Sequence, residues 1–182
     1  MLQCRRCPLW QTRTQAVPGV GPPTARVMMV GEAPGRQEDL KGEPFVGTAG
    51  RFFDSLLASV GLTREDVYIT NAVKSRPYIG PPPGHNRTPS PGEISACRPW
   101  LDEQLRIIEP EIVVAMGRIA LEYFLPGRKI SEIHGKPQRQ NGRIILPVFH
   151  PALARYGPEL QATLRADFLK LRELMAGEPA PG

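Results

Sequence analysis

Apolar residues occur along this chain in short runs that alternate with segments of helical periodicity. Four runs rich in Val, Ile and Met have the length of buried strands, at residues 27–30, 67–73, 111–117 and 144–149. Segments with apolar positions at helical spacing follow them, at residues 47–60, 91–109, 117–125 and 158–175. The alternation predicts an α/β fold of three layers, α/β/α, around a central parallel sheet of four strands.

The length and composition of the chain fit one domain. With 182 residues, of which 41% are hydrophobic, the chain has enough apolar side chains for one packed core. We predict a single domain over residues 1–176 and a flexible tail over residues 177–182, which are rich in Gly and Pro. Because there is no apolar run of membrane-spanning length and no apolar leader at the N-terminus, we expect a cytoplasmic protein without a membrane partner.

Polar side chains follow three of the four predicted strands. Glu32 comes after the first strand, Asn71 lies near the exit of the second, and His150 follows the fourth. Ligands of parallel α/β sheets bind beyond the carboxyl ends of the strands, so we expect these side chains at one rim. Phe45, in the loop after the first strand, offers a ring for stacking. Each feature alone is as typical of a turn or of core packing, but together they favour recognition of a flat heterocycle and attack by water.

Three cysteines suggest a second kind of site. Cys4 and Cys7 form a Cys-x-x-Cys pair, and Cys97 lies far along the chain. In a cytosolic chain this odd number argues against a disulfide framework and favours a metal or iron–sulfur site. A redox pair, or two exposed thiols, is the alternative interpretation of Cys4 and Cys7.

The net charge adds one hint about partners. The chain carries a formal charge of +5 and a sequence pI near 9.4. Such a charge permits binding to a polyanion such as DNA, although many basic proteins bind no nucleic acid.

Five segments of the sequence resemble, in order and spacing, those of the family 4 uracil-DNA glycosylases, the iron–sulfur members of the uracil-DNA glycosylase superfamily. The segments are GEAPGRQED at 31–39, PFVGTAG at 44–50, TNAVK at 70–74, NRTP at 86–89 and HPA at 150–152. The similarity extends from Cys4 to the final helix.

The resemblance implies a specific reaction and specific roles. Such enzymes turn a uracil nucleotide out of DNA and hydrolyse its N-glycosidic bond, which leaves an abasic site and starts base excision repair. Glu32 would orient or activate the water, and His150 would donate a hydrogen bond to the uracil oxygen that gains charge. Asn71 would pair with the uracil edge and Phe45 would stack on the base. Glu38 would crowd the C5 position, where thymine carries a methyl group. No nucleotide cofactor is implied.

The resemblance also implies a DNA-binding surface. The segment from Pro151 to Tyr156 resembles the loop that enters the minor groove, and Leu153 is our prediction for its apolar wedge. Further basic side chains are predicted to contact phosphates; they are Lys74, Arg87, Lys136 and Arg155. We expect a monomer that binds uracil-containing DNA and associates with the nucleoid during repair.

The chain departs from the family at two positions with chemical consequences. Ala33 stands where many relatives in the superfamily carry a catalytic Asp, so water activation falls to Glu32. Ser75 stands where the family has its fourth cluster cysteine. We still expect a [4Fe-4S] cluster on Cys4, Cys7 and Cys97, with Ser75 or His85 as the fourth ligand.

His85 also supports an alternative function. It lies in a Pro- and Gly-rich loop at residues 78–85, longer than the usual family 4 loop. A related group in the superfamily bonds covalently to the abasic product through a histidine in an expanded loop at this place. The alternative is therefore a uracil-DNA-binding protein that traps its DNA through His85.

Overall fold

Strands and helices alternate in this computed structural model, which describes residues 1–177. The strands are β1 (Val27–Gly31), β2 (Val67–Asn71), β3 (Tyr78–Ile79), β4 (His85–Asn86), β5 (Ile112–Met116), β6 (Gln138–Gln140) and β7 (Arg143–Val148). The α-helices are α1 (Arg36–Lys41), α2 (Thr48–Ser59), α3 (Pro91–Ile108), α4 (Arg118–Phe124), α5 (Ile130–Ile133) and α6 (Pro158–Met175). Short 3-10 helices span Pro8–Gln11, Arg64–Asp66 and Pro151–Tyr156.

The central sheet has the strand order β2-β1-β5-β7-β6. The first four strands are parallel, which confirms the predicted parallel sheet. β6 adds a fifth, antiparallel strand beside β7 that the hydrophobic pattern does not indicate. Its residues are polar and mostly exposed, so no apolar run marks it.

The sheet is covered by helices on both faces. Alternate residues of β1 point to opposite sides: Val27 and Met29 belong to a cluster with residues of α2 and α6, whereas Met28 and Val30 pack with residues of α3 and α4. Every residue of β1 and β5 is buried, as strands between two helical layers require. The predicted three-layer α/β/α fold is confirmed.

The Pro-rich segment after β2 forms a hairpin of β3 and β4. The buried Arg76 organises it, because its guanidinium donates to the side-chain oxygen of Asn86 at 2.6 Å and to the carbonyls of Pro83 and Gly84 at 2.8 and 3.1 Å. The segment is therefore held in one position beside the end of β2.

The predicted division into a domain at residues 1–176 and a tail at residues 177–182 is only partly covered by the structure. Of the tail predicted at residues 177–182, only Gly177 is described and the remainder lies outside the described residues; the division itself stays a prediction. None of the helices within residues 1–177 has the length and apolar character needed to cross a membrane.

Candidate active site at the carboxyl edge of the sheet

A cavity of about 550 Å³ opens at the carboxyl edge of the sheet. The β1–α2 connection, the end of β2, the β3–β4 hairpin and the segment after β7 all contribute to its wall. Among the lining residues are Ala33, Gly35, Glu38, Phe45, Gly47, Asn71, Asn86, His150, Ala152, Arg155 and Gln161. Of the side chains predicted to meet at this rim, Asn71, Phe45 and His150 line one cavity.

His150 is held in a defined protonation state. It precedes the 3-10 helix Pro151–Tyr156, and its Nδ1 accepts a hydrogen bond from the backbone N–H of Ala152 at 3.1 Å. Burial lowers the pKa of His150 to about 4, so the ring is neutral at physiological pH. A neutral imidazole whose Nδ1 accepts must carry its proton on Nε2. His150 is therefore a fixed, uncharged Nε2–H donor.

Gly31 gives Asn71 and Phe45 their close approach to β1. Gly31 pairs with Asn71 in the sheet register. A Cβ atom at position 31 would lie 2.4 Å from the amide oxygen of Asn71 and 2.7 Å from the Phe45 ring. Any side chain there would displace both groups, so the glycine is what lets an amide and an aromatic ring share the end of β1.

The loop that carries Phe45 is fixed by a distant arginine. Phe45 has a positive φ of 54°, an uncommon backbone conformation for an aromatic residue. Arg64 donates to the carbonyl of Pro44 at 3.0 Å and to the carbonyl of Phe45, and it forms an ion pair with Asp54. The Phe45 ring then lies 5.6 Å from the His150 ring, with 24° between their planes. The structure thus brings the predicted stacking residue and the predicted donor side by side.

Glu38 lines the cavity and hydrogen-bonds to the same loop. Its Oε1 accepts the backbone N–H groups of Val46 and Gly47 at 3.1 and 2.9 Å. The carboxylate lines the cavity and holds the backbone that follows Phe45. A steric role against a C5 methyl group remains a prediction, now with a structural role beside it.

Glu32 lies one residue beyond β1 and is half-buried. Burial raises the pKa of its carboxyl group, and the charge of Arg118 partly opposes this effect. Glu32 itself does not line the cavity, whereas its neighbour Ala33 does. Glu32 is therefore next in the chain to a lining residue whose small side chain leaves room in the cavity.

Sequence reasoning missed two residues of the cavity wall and one residue whose charge acts on Glu32. Asn86 appears only as part of the NRTP segment, yet it lines the wall, and Arg76 holds its oxygen so that its NH2 group is left for other partners. Gln161 lines the wall and donates to the Ala154 carbonyl at 3.0 Å. Arg118 influences Glu32 from the start of α4. The order of α4 and α6 around the sheet, which places Arg118 and Gln161, has no signal in the local sequence.

The predicted DNA-binding residues divide into two groups. Arg155 is exposed and lines the cavity mouth, Leu153 is half-buried on the same 3-10 helix, and Lys136 is exposed. These three remain predictions.

Lys74 requires correction, whereas the phosphate contact of Arg87 stays a prediction. Lys74 is 2% exposed, and its ammonium is engaged inside the protein, so the prediction that it contacts a phosphate is wrong. Burial lowers the pKa of Lys74 to about 7. Arg87 forms a bidentate pair with Glu93, at 2.8 and 2.6 Å, which extends the cap at the start of α3. The Arg87 side chain keeps 31% of its surface exposed beside this pair.

The three cysteines lie at α3: Cys97 is in the helix, and Cys4 and Cys7 pack against it. The Sγ of Cys4 accepts the indole N–H of Trp100 at 3.3 Å, and the Sγ of Cys97 accepts the backbone N–H of Lys74 at 3.4 Å. N–H groups that donate to sulfur stabilise thiolates bound to an iron–sulfur group, so Cys4 and Cys97 fit such a group, and Cys7 lies in the same cluster as Cys97.

The fourth position does not offer a thiolate. Ser75 is buried, and its Oγ accepts a hydrogen bond from Arg13 at 3.0 Å. Within residues 1–177, no group of three or more His, Cys, Asp or Glu side chains is assembled as a metal site. The expected four-ligand cluster therefore has three cysteine ligands available, and a serine, Ser75, at the position of the fourth cysteine.

His85 is separated from the cavity by the geometry of its own strand. It precedes Asn86 in β4, and neighbouring residues of a strand point to opposite faces. Asn86 lines the cavity and His85 does not. The covalent mechanism predicted as an alternative finds no support here, and within residues 1–177 His85 belongs to no group of three or more potential metal ligands.

Comparison with known proteins agrees with this arrangement. The sequence model of the Uracil DNA glycosylase superfamily matches residues 18–172. The chain is 43% identical to the type-4 uracil-DNA glycosylase of Archaeoglobus fulgidus, over 96% of this chain and 89% of that protein. It is 43% identical to the type-4 enzyme of Sulfurisphaera tokodaii over 96% of this chain and 81% of that protein. For the type-4 enzyme of Thermotoga maritima the identity is 40%, over 97% and 91%.

Proposed function

This chain belongs to the type-4 uracil-DNA glycosylases of the Uracil DNA glycosylase superfamily, and from that premise we propose how its cavity excises uracil. The enzyme hydrolyses the N-glycosidic bond of a uracil nucleotide that has been turned out of DNA, and it leaves an abasic site for base excision repair. The observation that carries our assignment of roles is the neutral His150, fixed as an Nε2–H donor beside Phe45 in a cavity that Asn71 also lines.

Recognition of the base is assigned to three side chains. The Phe45 ring stacks on uracil, and the Asn71 amide pairs with the uracil edge, since an amide both donates and accepts hydrogen bonds. Glu38 excludes thymine by occupying the space next to C5. Its two backbone hydrogen bonds keep it in place and support this exclusion, because a fixed carboxylate cannot move aside for a methyl group.

Bond cleavage is assigned to His150 and Glu32. The bond between C1′ and the base nitrogen breaks, and its electron pair leaves with uracil. The Nε2–H of His150 donates to the uracil oxygen on which this charge develops. Glu32, ionised, accepts a proton from the water whose oxygen bonds to C1′. The neutral His150 ring can donate this hydrogen bond throughout the physiological pH range, because its protonation state does not change there.

Binding to DNA is assigned to the exposed surface around the cavity mouth. Arg155 and Lys136 contact phosphates, and Leu153 enters the minor groove from the 3-10 helix that follows His150. Such contacts give binding that weakens with salt and that is independent of sequence. We expect the enzyme to act as a monomer on DNA in the cytoplasm, at the nucleoid.

We assign the iron–sulfur group to Cys4, Cys7 and Cys97, with Ser75 at the fourth position. When bound, the group ties the N-terminal segment to α3. No catalytic role follows from its place, because the cavity wall contains none of these four residues.

One assay tests the function directly. Incubation with an oligonucleotide that contains a single uracil, followed by hot alkali, should give a strand break at uracil, and a matched thymine oligonucleotide should stay intact. Lack of cleavage at uracil would contradict the proposal. On a denaturing gel of the same mixture we expect no heat-stable shifted band; a band that disappears in His85→Ala would instead establish the covalent trap.

A further inference from the structure

A buried lysine lies directly behind the uracil-reading residue. The Nζ of Lys74 donates to three oxygens, each at 2.6 Å: Oγ1 of Thr70, the carbonyl of Asn71 and Oε1 of Gln104. All three acceptors are neutral oxygens: a hydroxyl, a backbone carbonyl and a side-chain amide. A charge placed in the interior with neutral partners costs stability, so its position calls for an explanation.

The three contacts bear on the protonation state of the side chain. An ammonium has three N–H bonds and no acceptor site, whereas a neutral amine has two. Three oxygens at 2.6 Å match the three N–H bonds of the ammonium. A neutral amine would donate to two of them and accept from the Thr70 hydroxyl, so the contact to the Asn71 carbonyl is available to either form.

The contact with Asn71 fills a gap in the sheet. β2 is an edge strand, and its backbone groups point alternately toward β1 and away from it. On the outer side Ile69 exchanges hydrogen bonds with Val20, but two residues later the strand ends. The outward carbonyl of Asn71 is bonded by Lys74 instead. The lysine thus replaces a missing neighbouring strand at the residue that faces the cavity.

The same side chain joins this strand end to α3. Gln104 of α3 accepts from Lys74 and donates to the Pro18 carbonyl at 2.7 Å and to the Tyr68 hydroxyl at 3.1 Å. The Lys74 backbone N–H contacts the sulfur of Cys97, also on α3. The end of β2 is therefore held from two points on one rigid helix.

We propose that Lys74 is a positioning residue for uracil recognition, which fixes the backbone of Asn71 so that its amide is aligned with the base before the bond breaks. The inference rests on the proposed function. A donor that is already aligned stabilises the charge on the departing uracil without reorganisation during the reaction, and small misplacement is costly.

The test compares Lys74→Met with wild type on two substrates. Methionine keeps an unbranched side chain of similar length and removes the donors. We expect single-turnover excision of uracil to slow about 10- to 100-fold while KM for DNA changes little, since the DNA contacts lie elsewhere. Excision of 5-fluorouracil should slow several-fold less, because that base leaves more readily and needs less stabilisation. Lys129→Met, at an exposed site, is the matched control and should behave as wild type.

The outcomes separate the possible explanations. Equal slowing of both substrates would mean that the lysine only maintains the fold, and it would overturn the proposal, as would an unchanged rate. If Lys74→Met does not fold, Thr70→Val removes one acceptor from the network, and it should show the same substrate dependence with a smaller slowdown; equal slowing there would also overturn the proposal. A wild-type protein that fails to excise uracil would instead refute the proposed function itself.

Discussion

The cavity edge and the cysteine region are built on different kinds of support. At the cavity edge, Glu32, Asn71 and His150 lie at or just beyond the ends of strands of one sheet, and the strand pairing brings those ends together. In the cysteine region, Cys4 and Cys7 lie on an irregular segment that reaches α3 through contacts such as the Trp100 hydrogen bond. Strand order brings side chains together without help from a ligand, whereas a short irregular segment depends on what it binds.

This difference in support predicts how substitutions in each region affect catalysis, metal content and stability. Removal of a chemical group at the cavity edge should abolish catalysis and leave the fold intact, because the sheet stands independently of the side chains at its rim. Changes to the cysteines should alter metal content and stability more than catalysis. The following experiments test this contrast.

Glu32→Gln should produce the largest loss. The amide cannot accept a proton from water, so we expect uracil excision to fall about 10²- to 10⁴-fold, the range for loss of a general base. Single-turnover cleavage measures the rate. Glu43→Gln, an exposed neighbour in the same connection, is the control and should retain wild-type activity. Full activity in Glu32→Gln would refute the assignment of the base.

His150→Leu should cost somewhat less. Loss of one donor to a developing anion lowers the rate about 10²- to 10³-fold. His150→Gln, which offers an N–H donor again, should recover part of the rate. His85→Leu should have no effect, because that side chain points away from the cavity. A rate for His150→Leu equal to that of wild type would show that the cavity stabilises the anion by other means.

The pH dependence should show the two groups separately. Glu32 works only when ionised, and burial raises its pKa, so activity should fall as the pH drops through that raised value, by about tenfold per pH unit below it. His150, with a pKa of about 4, stays neutral over that range and does not contribute to the decline. The rate of single-turnover excision against pH provides the measurement. A decline confined to pH 4 and below would contradict this order.

Ser75→Cys should have the smallest effect on catalysis and a clear effect on the metal. A fourth thiolate completes the ligand set, so the iron content of protein purified without air should rise, and iron should be lost to chelator more slowly. The excision rate should stay close to wild type. Unchanged iron content would show that Ser75 already serves as a full ligand, and a large change in rate would remove the distinction between the two regions.

The sequence is sufficient to predict the elements that have a regular hydrophobic pattern and the polar residues at their ends. Buried strands of Val, Ile and Met, followed by amphipathic helices, defined the three layers, and polar residues at strand ends defined Asn71 and His150. β6 was missed because an edge strand with two exposed faces has no hydrophobic signature. Lys74 was misassigned because its charge suggested solvent, whereas Gln104, 30 residues away, supplies an acceptor that no local pattern reveals.

Gly31 restricts which variants of this site can exist. Any residue larger than glycine at the end of β1 would collide with the Asn71 amide and the Phe45 ring, so no single substitution there can preserve both. Ala33, two residues later, lines the cavity and leaves space. Mutational routes to a different base preference therefore pass through residues such as Ala33, Glu38 or Asn71, while Gly31 stays constant.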